Sequence, residues 1–194
     1  MNRHPKEKCT QNRILYYQPS NKLAIAYVVT MEGNLPENLI HDCVMKSSTF
    51  TMIKPNAVAA GHTGKILDRM TADGFTIRAM RLVFMSRNDA AQFYAVHAGK
   101  PFFETLLRFM TSGATVVALL EREGNDAVAA LRQLVGNTDP AKADRGTIRA
   151  EFGESLTCNA VHASDSDENA RIEWSHFFAP GDMIDVAYNP EVFK

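Results

Sequence analysis

Cysteine is scarce and odd in number. The chain has three, Cys9, Cys43 and Cys158, spaced too widely for a zinc pattern and unsuited to a disulfide framework. A reducing, cytoplasmic compartment is the simpler reading. Long apolar runs are also missing. The longest strongly apolar stretch, residues 23–29, is far short of the roughly 20 residues a spanning helix needs. It lacks a signal-peptide cleavage site as well, and no Asn-x-Ser/Thr sequon occurs. No excess of one charge sign exists, with 21 Lys+Arg against 22 Asp+Glu and a net charge of -1. A global positive field for nucleic acid or an anionic membrane is therefore excluded, and neither is expected as a partner. Any anionic ligand must be met by locally gathered cations. What the chain does have is 194 residues, 45% apolar and 22% charged, which suits one compact domain with a short appendage.

The patterning divides the chain unequally. Residues 1–45 are weakly patterned, with one possible strand over 23–30. Met45 stands at the seam, so two readings hold: translation starts at Met45, or residues 1–45 are a real extension. Mass spectrometry of the native N-terminus separates them. Residues 46–194 form the patterned domain. Short strands are expected over 50–54, 75–84, 114–120 and 157–161. Helices are expected over 63–73, 88–97, 125–135 and 166–178, with another after Pro101 carrying Phe103, Leu106, Leu107 and Met110 inward. Residues 137–156 read as a long polar loop. The order β-α-β-(α-α)-β-α-β-α suggests a ferredoxin-like split βαβ of the α+β class. A loop of that length inside a compact domain is usually functional or disordered.

His162 heads the candidate residues. It falls between a short strand and a helix, with Ser164 and Asp165 as possible caps and Glu168 at capping-box spacing from Asp165. A helix N-terminus favours neutral imidazole, the nucleophilic form, and attracts phosphate. The bland alternative is a histidine bonded near a cap. Glu173 lies at the edge of the face formed by Ala170, Trp174, Phe177 and Phe178. It is either a snorkelling surface glutamate or an inward carboxylate that fixes the imidazole tautomer. Lys54, Arg132 and Arg149, with Thr138, could together hold a polyphosphate, although each alone reads as a solvated residue. Phe102 falls off the helical stripe, so it either packs or stacks on a base. Tyr94 either packs or donates to phosphate. Gly61-His62-Thr63-Gly64-Lys65 fails as a P-loop because Ala59 and Ile66 occupy required positions.

Four segments in this order and spacing resemble the nucleoside diphosphate kinases. They are Thr49-Phe50-Thr51-Met52-Ile53-Lys54-Pro55; Tyr94 with Lys100-Pro101-Phe102-Phe103; Arg132 with Gly136-Asn137-Thr138-Asp139-Pro140 and Gly146-Thr147-Ile148-Arg149; and Asn159-Ala160-Val161-His162-Ala163-Ser164-Asp165-Ser166. The resemblance implies a four-stranded antiparallel sheet with an inserted helical hairpin and an extra C-terminal helix. It implies that a nucleoside triphosphate such as ATP gives its γ-phosphoryl group to His162, and that a diphosphate such as GDP then takes it. By the same resemblance Glu173 orients the imidazole and Ser164 supports that pair. Lys54, Tyr94, Arg132, Thr138 and Arg149 would bind phosphates. Lys54 and Asn159 would reach the sugar, and Phe102 with Leu106 the base. Mg2+ would ride on the nucleotide phosphates with no direct protein ligand, and a homo-tetramer or homo-hexamer is implied. The chain departs from the family pattern at Ala163, where glycine is usual, and at Asn56-Ala57, where Asp-Gly is usual. The rival reading is a non-catalytic nucleotide-binding or regulatory module on the same fold.

Overall fold

The computed structural model describes residues 46–186, so the possible strand over 23–30 and the question of Met45 lie outside the described residues. Two apolar clusters sandwich one sheet. Strand β1 (Lys46–Ile53) presents Phe50 and Met52 to one cluster and Ile53 to the other, all at 0% exposure. From Thr49 to Ile53 the strand is buried on both faces and has no need of polar alternation, which is why this part is apolar or Thr. Strand β2 is Thr76–Val83 and strand β3 is Thr115–Glu123. The sheet order is β2-β3-β1-β4, and every neighbouring pair is antiparallel.

Seven helices flank these strands among the described residues. Helix α1 (Pro55–Ala59) begins on a proline whose missing N–H costs nothing at that position. Helix α2 (Thr63–Ala72) buries Ile66 and Met70, and the chain leaves it through Gly74 at φ +89. Helix α3 (Arg87–Phe93) is started by a capping box between Ser86 and Asp89, two residues earlier than the Asn88 cap expected from sequence. The two short polar side chains three apart satisfy both orphan donors, leaving Asn88 inside the helix. Helix α4 (Phe103–Met110) buries Leu106, Leu107 and Met110 as the stripe predicts.

Helix α5 (Ala127–Val135) follows β3. The stretch read as one long loop contains a 3-10 turn at Pro140–Lys142 and helix α6 (Ile148–Phe152). Polar composition concealed α6 because only Ile148 and Phe152 anchor it, both in the first cluster. The last strand, β4, is Val161–Ala163 rather than residues 157–161. Cys158 instead closes a turn whose carbonyl accepts from Glu154 and Ser155 N–H. Helix α7 (Asp167–Ser175) is capped by Ser166, which accepts from Asn169 N, not by Ser164 or Asp165. The Ser164 hydroxyl is committed elsewhere. The fold is the expected ferredoxin-like α+β arrangement, with α3 and α4 as the hairpin between β2 and β3.

Candidate active site

Register places the histidine. In β4 it stands opposite Met52 of β1, and directly opposed residues share a face of an antiparallel pair. The imidazole therefore points to the side of Phe50 and Met52, under α3 and α7. Phe93 meets it edge-on at 5.4 Å between centroids, and Tyr94 does so at 6.3 Å. Thr51 fixes the backbone from the other face, its hydroxyl donating to His162 O at 2.7 Å.

Nε2 of His162 lies 2.9 Å from Glu173 Oε2, and Ser164 Oγ donates to the same oxygen at 2.5 Å. A carboxylate can only accept, so Nε2 carries the proton and Nδ1 keeps its lone pair. Both side chains are mostly withdrawn from water, at 21% and 18% exposure. Glu173 thus resolves as an inward carboxylate rather than a snorkelling one. Glu173→Gln removes the charge while keeping the shape of the side chain, and so tests its role. Single-turnover phosphorylation of His162 should slow by roughly 10- to 100-fold, the range seen for outer partners of reactive imidazoles. Nucleotide Kd, read by calorimetry, should hold.

The cations converge around the same strand end. Lys54 Nζ donates to Asn159 Oδ1 at 2.7 Å, and Asn159 Nδ2 donates to Thr138 O at 3.0 Å. Arg149 donates to Gly136 O at 2.9 Å and to Val161 O at 3.0 Å. Burial and the nearby Arg149 guanidinium lower Lys54 to about 7. Burial and Arg132 likewise lower Arg149 to about 10. Among the described residues no carboxylate pairs with Lys54 or Arg149. Cations held this close without a counterion are arranged for an anion that arrives with the ligand. Among the described residues, two of the candidate site's buried donors have no partner, Arg149 Nε and Tyr94 OH. Burial, then the Glu173 charge, pushes the Tyr94 phenol well above its ordinary range, so it stays a donor.

Three consecutive residues link these cations. Asn159 takes the Lys54 side chain, Ala160 O accepts the Lys54 backbone N–H at 2.8 Å, and Val161 O takes Arg149. To face three ways the chain makes a γ-turn, with Val161 N bonded to Asn159 O and Ala160 at φ 66. This left-handed alanine is the one non-glycine of its kind among the described residues. Ala163, by contrast, is an ordinary strand residue outside the left-handed region. The position after His162 therefore makes no conformational demand for glycine here.

Gly136 does meet such a demand. It has φ +84, and a Cβ there would sit 2.4 Å from Thr147 Oγ1. Gly136→Ala should cost on the order of 3 kcal/mol in urea unfolding, from backbone strain plus overpacking, and should displace a carbonyl that holds Arg149.

At the other end, Phe102 is 49% exposed and packs edge-on against His97 at 5.4 Å. His97 in turn stacks on Tyr94 at 6.2 Å. Leu106 sits one turn from Phe102 and is only 8% exposed, within the second cluster. Arg132 and Thr138 are exposed. Sequence reasoning missed Thr51, Phe93 and the carbonyls of Gly136 and Val161. Backbone acceptors leave no trace in residue type, and Thr51 is marked only by being polar on a buried strand.

A proton-bearing Nε2, a free Nδ1 and a ring of uncompensated cations define a nucleophile for a phosphate-bearing electrophile. Comparison with known proteins agrees. The nucleoside diphosphate kinase family model matches residues 47–183. A nucleoside diphosphate kinase from Nitratiruptor sp. is 52% identical over 136 residues, covering 70% of this chain and 98% of the relative. One from Helicobacter pylori is 50% identical over 139 residues, covering 72% and 100%. Among solved structures, the Aquifex aeolicus nucleoside diphosphate kinase superposes with a TM-score of 0.69 at 39% identity, covering 72% of this chain and 100% of that one. The Halobacterium salinarum enzyme in complex with CDP gives 0.70 at 32% identity, covering 77% and 98%. The chain belongs to the nucleoside diphosphate kinase family. It is an enzyme that moves the γ-phosphoryl group from nucleoside triphosphates to nucleoside diphosphates.

Proposed function

We propose that the relay runs through Nδ1 of His162, which attacks the γ-phosphorus in line and later surrenders the group to a diphosphate. The observation that carries this is the pairing of Nε2 with Glu173 Oε2, which leaves one ring nitrogen for chemistry. As the Nδ1–P bond forms, the bridging P–O bond to the β-phosphate breaks and a nucleoside diphosphate leaves. The imidazole ring becomes cationic, and the Glu173 carboxylate stabilises that charge until a terminal oxygen of the second diphosphate attacks phosphorus and the Nδ1–P bond breaks. Ser164 steadies the carboxylate. Lys54, Arg149, Arg132 and the Tyr94 phenol meet the phosphates, with Thr138 as a further hydroxyl, and Asn159 with Lys54 reaches the sugar. Phosphoryl transfer asks for positioning and charge stabilisation more than protein chemistry, and these residues supply both. Phe102, with Leu106 beside it, stacks on the base.

The gathered side chains are cations and neutral donors rather than a carboxylate cluster, which suits Mg2+ carried on the nucleotide's own phosphates. Bound there, it would offset charge on the phosphate oxygens. Residues 46–194 form the catalytic domain on this reading, and 1–45 an extension. The cytoplasm, where nucleotides and reduced cysteines coexist, is the compartment it implies. A homo-tetramer or homo-hexamer is the expected assembly, supported by the edge strand β2, which exposes Met80 and Leu82. A non-catalytic nucleotide-binding module is not favoured, since such a role has no use for the His162–Glu173–Ser164 chain.

The test is brief incubation with γ-labelled ATP and magnesium. An acid-labile, base-stable label near one per chain should appear on His162 and be discharged by GDP or CDP. Label on serine, or label that diphosphates do not remove, would sink the relay.

A further inference from the structure

Arg69, on the last turn of α2, is outside the constellation above and touches no group that would meet substrate. Its guanidinium nonetheless grips the segment carrying Arg149 at both ends. Nη2 donates to Gly146 O, and Nη1 donates to Glu151 Oε2 at 2.8 Å. Gly146 stands just before α6, at φ +92, and Glu151 lies near the end of α6. Arg149 sits between them.

Helix α6 has five residues, too few to hold its shape alone. Ile148 and Phe152 pin its inner side to the first cluster. Two apolar contacts along one side fix depth better than rotation about the helix axis, because apolar packing is non-directional. The bonds of Arg149 to Gly136 O and Val161 O give direction from the inner side, and the planar fork of Arg69 gives it at the two ends of the segment. Rotation of α6 sets where the Arg149 guanidinium points, and its buried Nε has no partner among the described residues. The side chain of Arg69 is only 25% exposed, so solvent does not wholly screen the grip.

We propose that Arg69 is a positioning residue for triphosphate binding, setting the orientation of α6 and through it that of Arg149. The proposal rests on the reading of Arg149 as a phosphate-binding residue.

A double-mutant cycle on the full chain tests it, with KM for ATP and kcat measured for Arg69→Gln, Arg149→Gln and the double variant. Arg69→Gln should raise KM roughly fivefold, the order of one lost charge-assisted hydrogen bond, with kcat held within about twofold. Added to Arg149→Gln it should raise KM no further, since coupled residues are non-additive. Arg69→Lys, which keeps the charge but reaches one acceptor, should recover part of the loss. It also serves as the test if Arg69→Gln folds poorly. An unchanged KM for Arg69→Gln, or an additive rise in the double variant, overturns the proposal. An unchanged KM for Arg149→Gln overturns it together with the phosphate-binding role of Arg149, whereas loss of the His162 label in wild-type enzyme would be the separate failure of the relay.

Discussion

Replacing His162 with alanine should remove the phosphoryl label entirely and lower nucleotide exchange by on the order of 10⁴–10⁶, the scale of losing a covalent nucleophile. Nothing else in the site can take its place. Glu173 carries the negative charge that orients the ring, Ser164 is buried behind it, and the Tyr94 phenol is held protonated. Nucleotide binding should survive, because the cations and Phe102 are untouched. Quench-flow with labelled ATP and calorimetry with a diphosphate read the two halves separately. Label retained in His162→Ala would show that the group rests elsewhere.

Lys54 carries the second large effect. Lys54→Gln should reduce kcat/KM by roughly 10²–10³, as removal of one preorganised charge in a dry site does. In its proposed place against the phosphates, the amine should also make binding pH-dependent. Burial and Arg149 lower it to about 7 in the free protein, and an arriving triphosphate raises it again. Binding therefore takes up a proton, about half of one at pH 7, from the lowered value of about 7. Affinity is greatest below pH 7 and weakens as pH rises through and above it. Calorimetry in two buffers of different ionisation enthalpy measures the uptake, and Lys54→Gln should abolish it. The free protein shows the opposite trend. Between about pH 7 and 9 the unfolded chain keeps a proton that the folded Lys54 has released, so this group makes stability rise with pH.

The order of elements and the candidate side chains were legible in the sequence because both rest on residue type. The stripe Phe103, Leu106, Leu107, Met110 located α4, and Ala114 to Leu120 located a doubly covered strand. The residue types of His162, Glu173 and the cations told their possible chemistry, and family resemblance assembled them. What could not be read was where short polar stretches turn. The γ-turn at Ala160 moved β4 forward so that His162 lies inside the strand, and it did so through backbone bonds that an alanine does not announce. Helix α6 was hidden for the same reason, its fold being set by two buried anchors and by Arg69 far away in sequence. Ser164 looked like a cap because its hydroxyl suits one. Only the three-dimensional position of Glu173 shows why Ser166 caps instead.

Phe102 offers a half-open aromatic plane with no donor or acceptor on it. A flat hydrocarbon surface senses area and polarisability, and every nucleobase has both. With the base stacked on Phe102 as proposed, the catalyst counts phosphates and ignores letters. Set among mixed nucleotides, it can only level their charging states toward one another, and the direction of net flow is left to whichever pool is fuller.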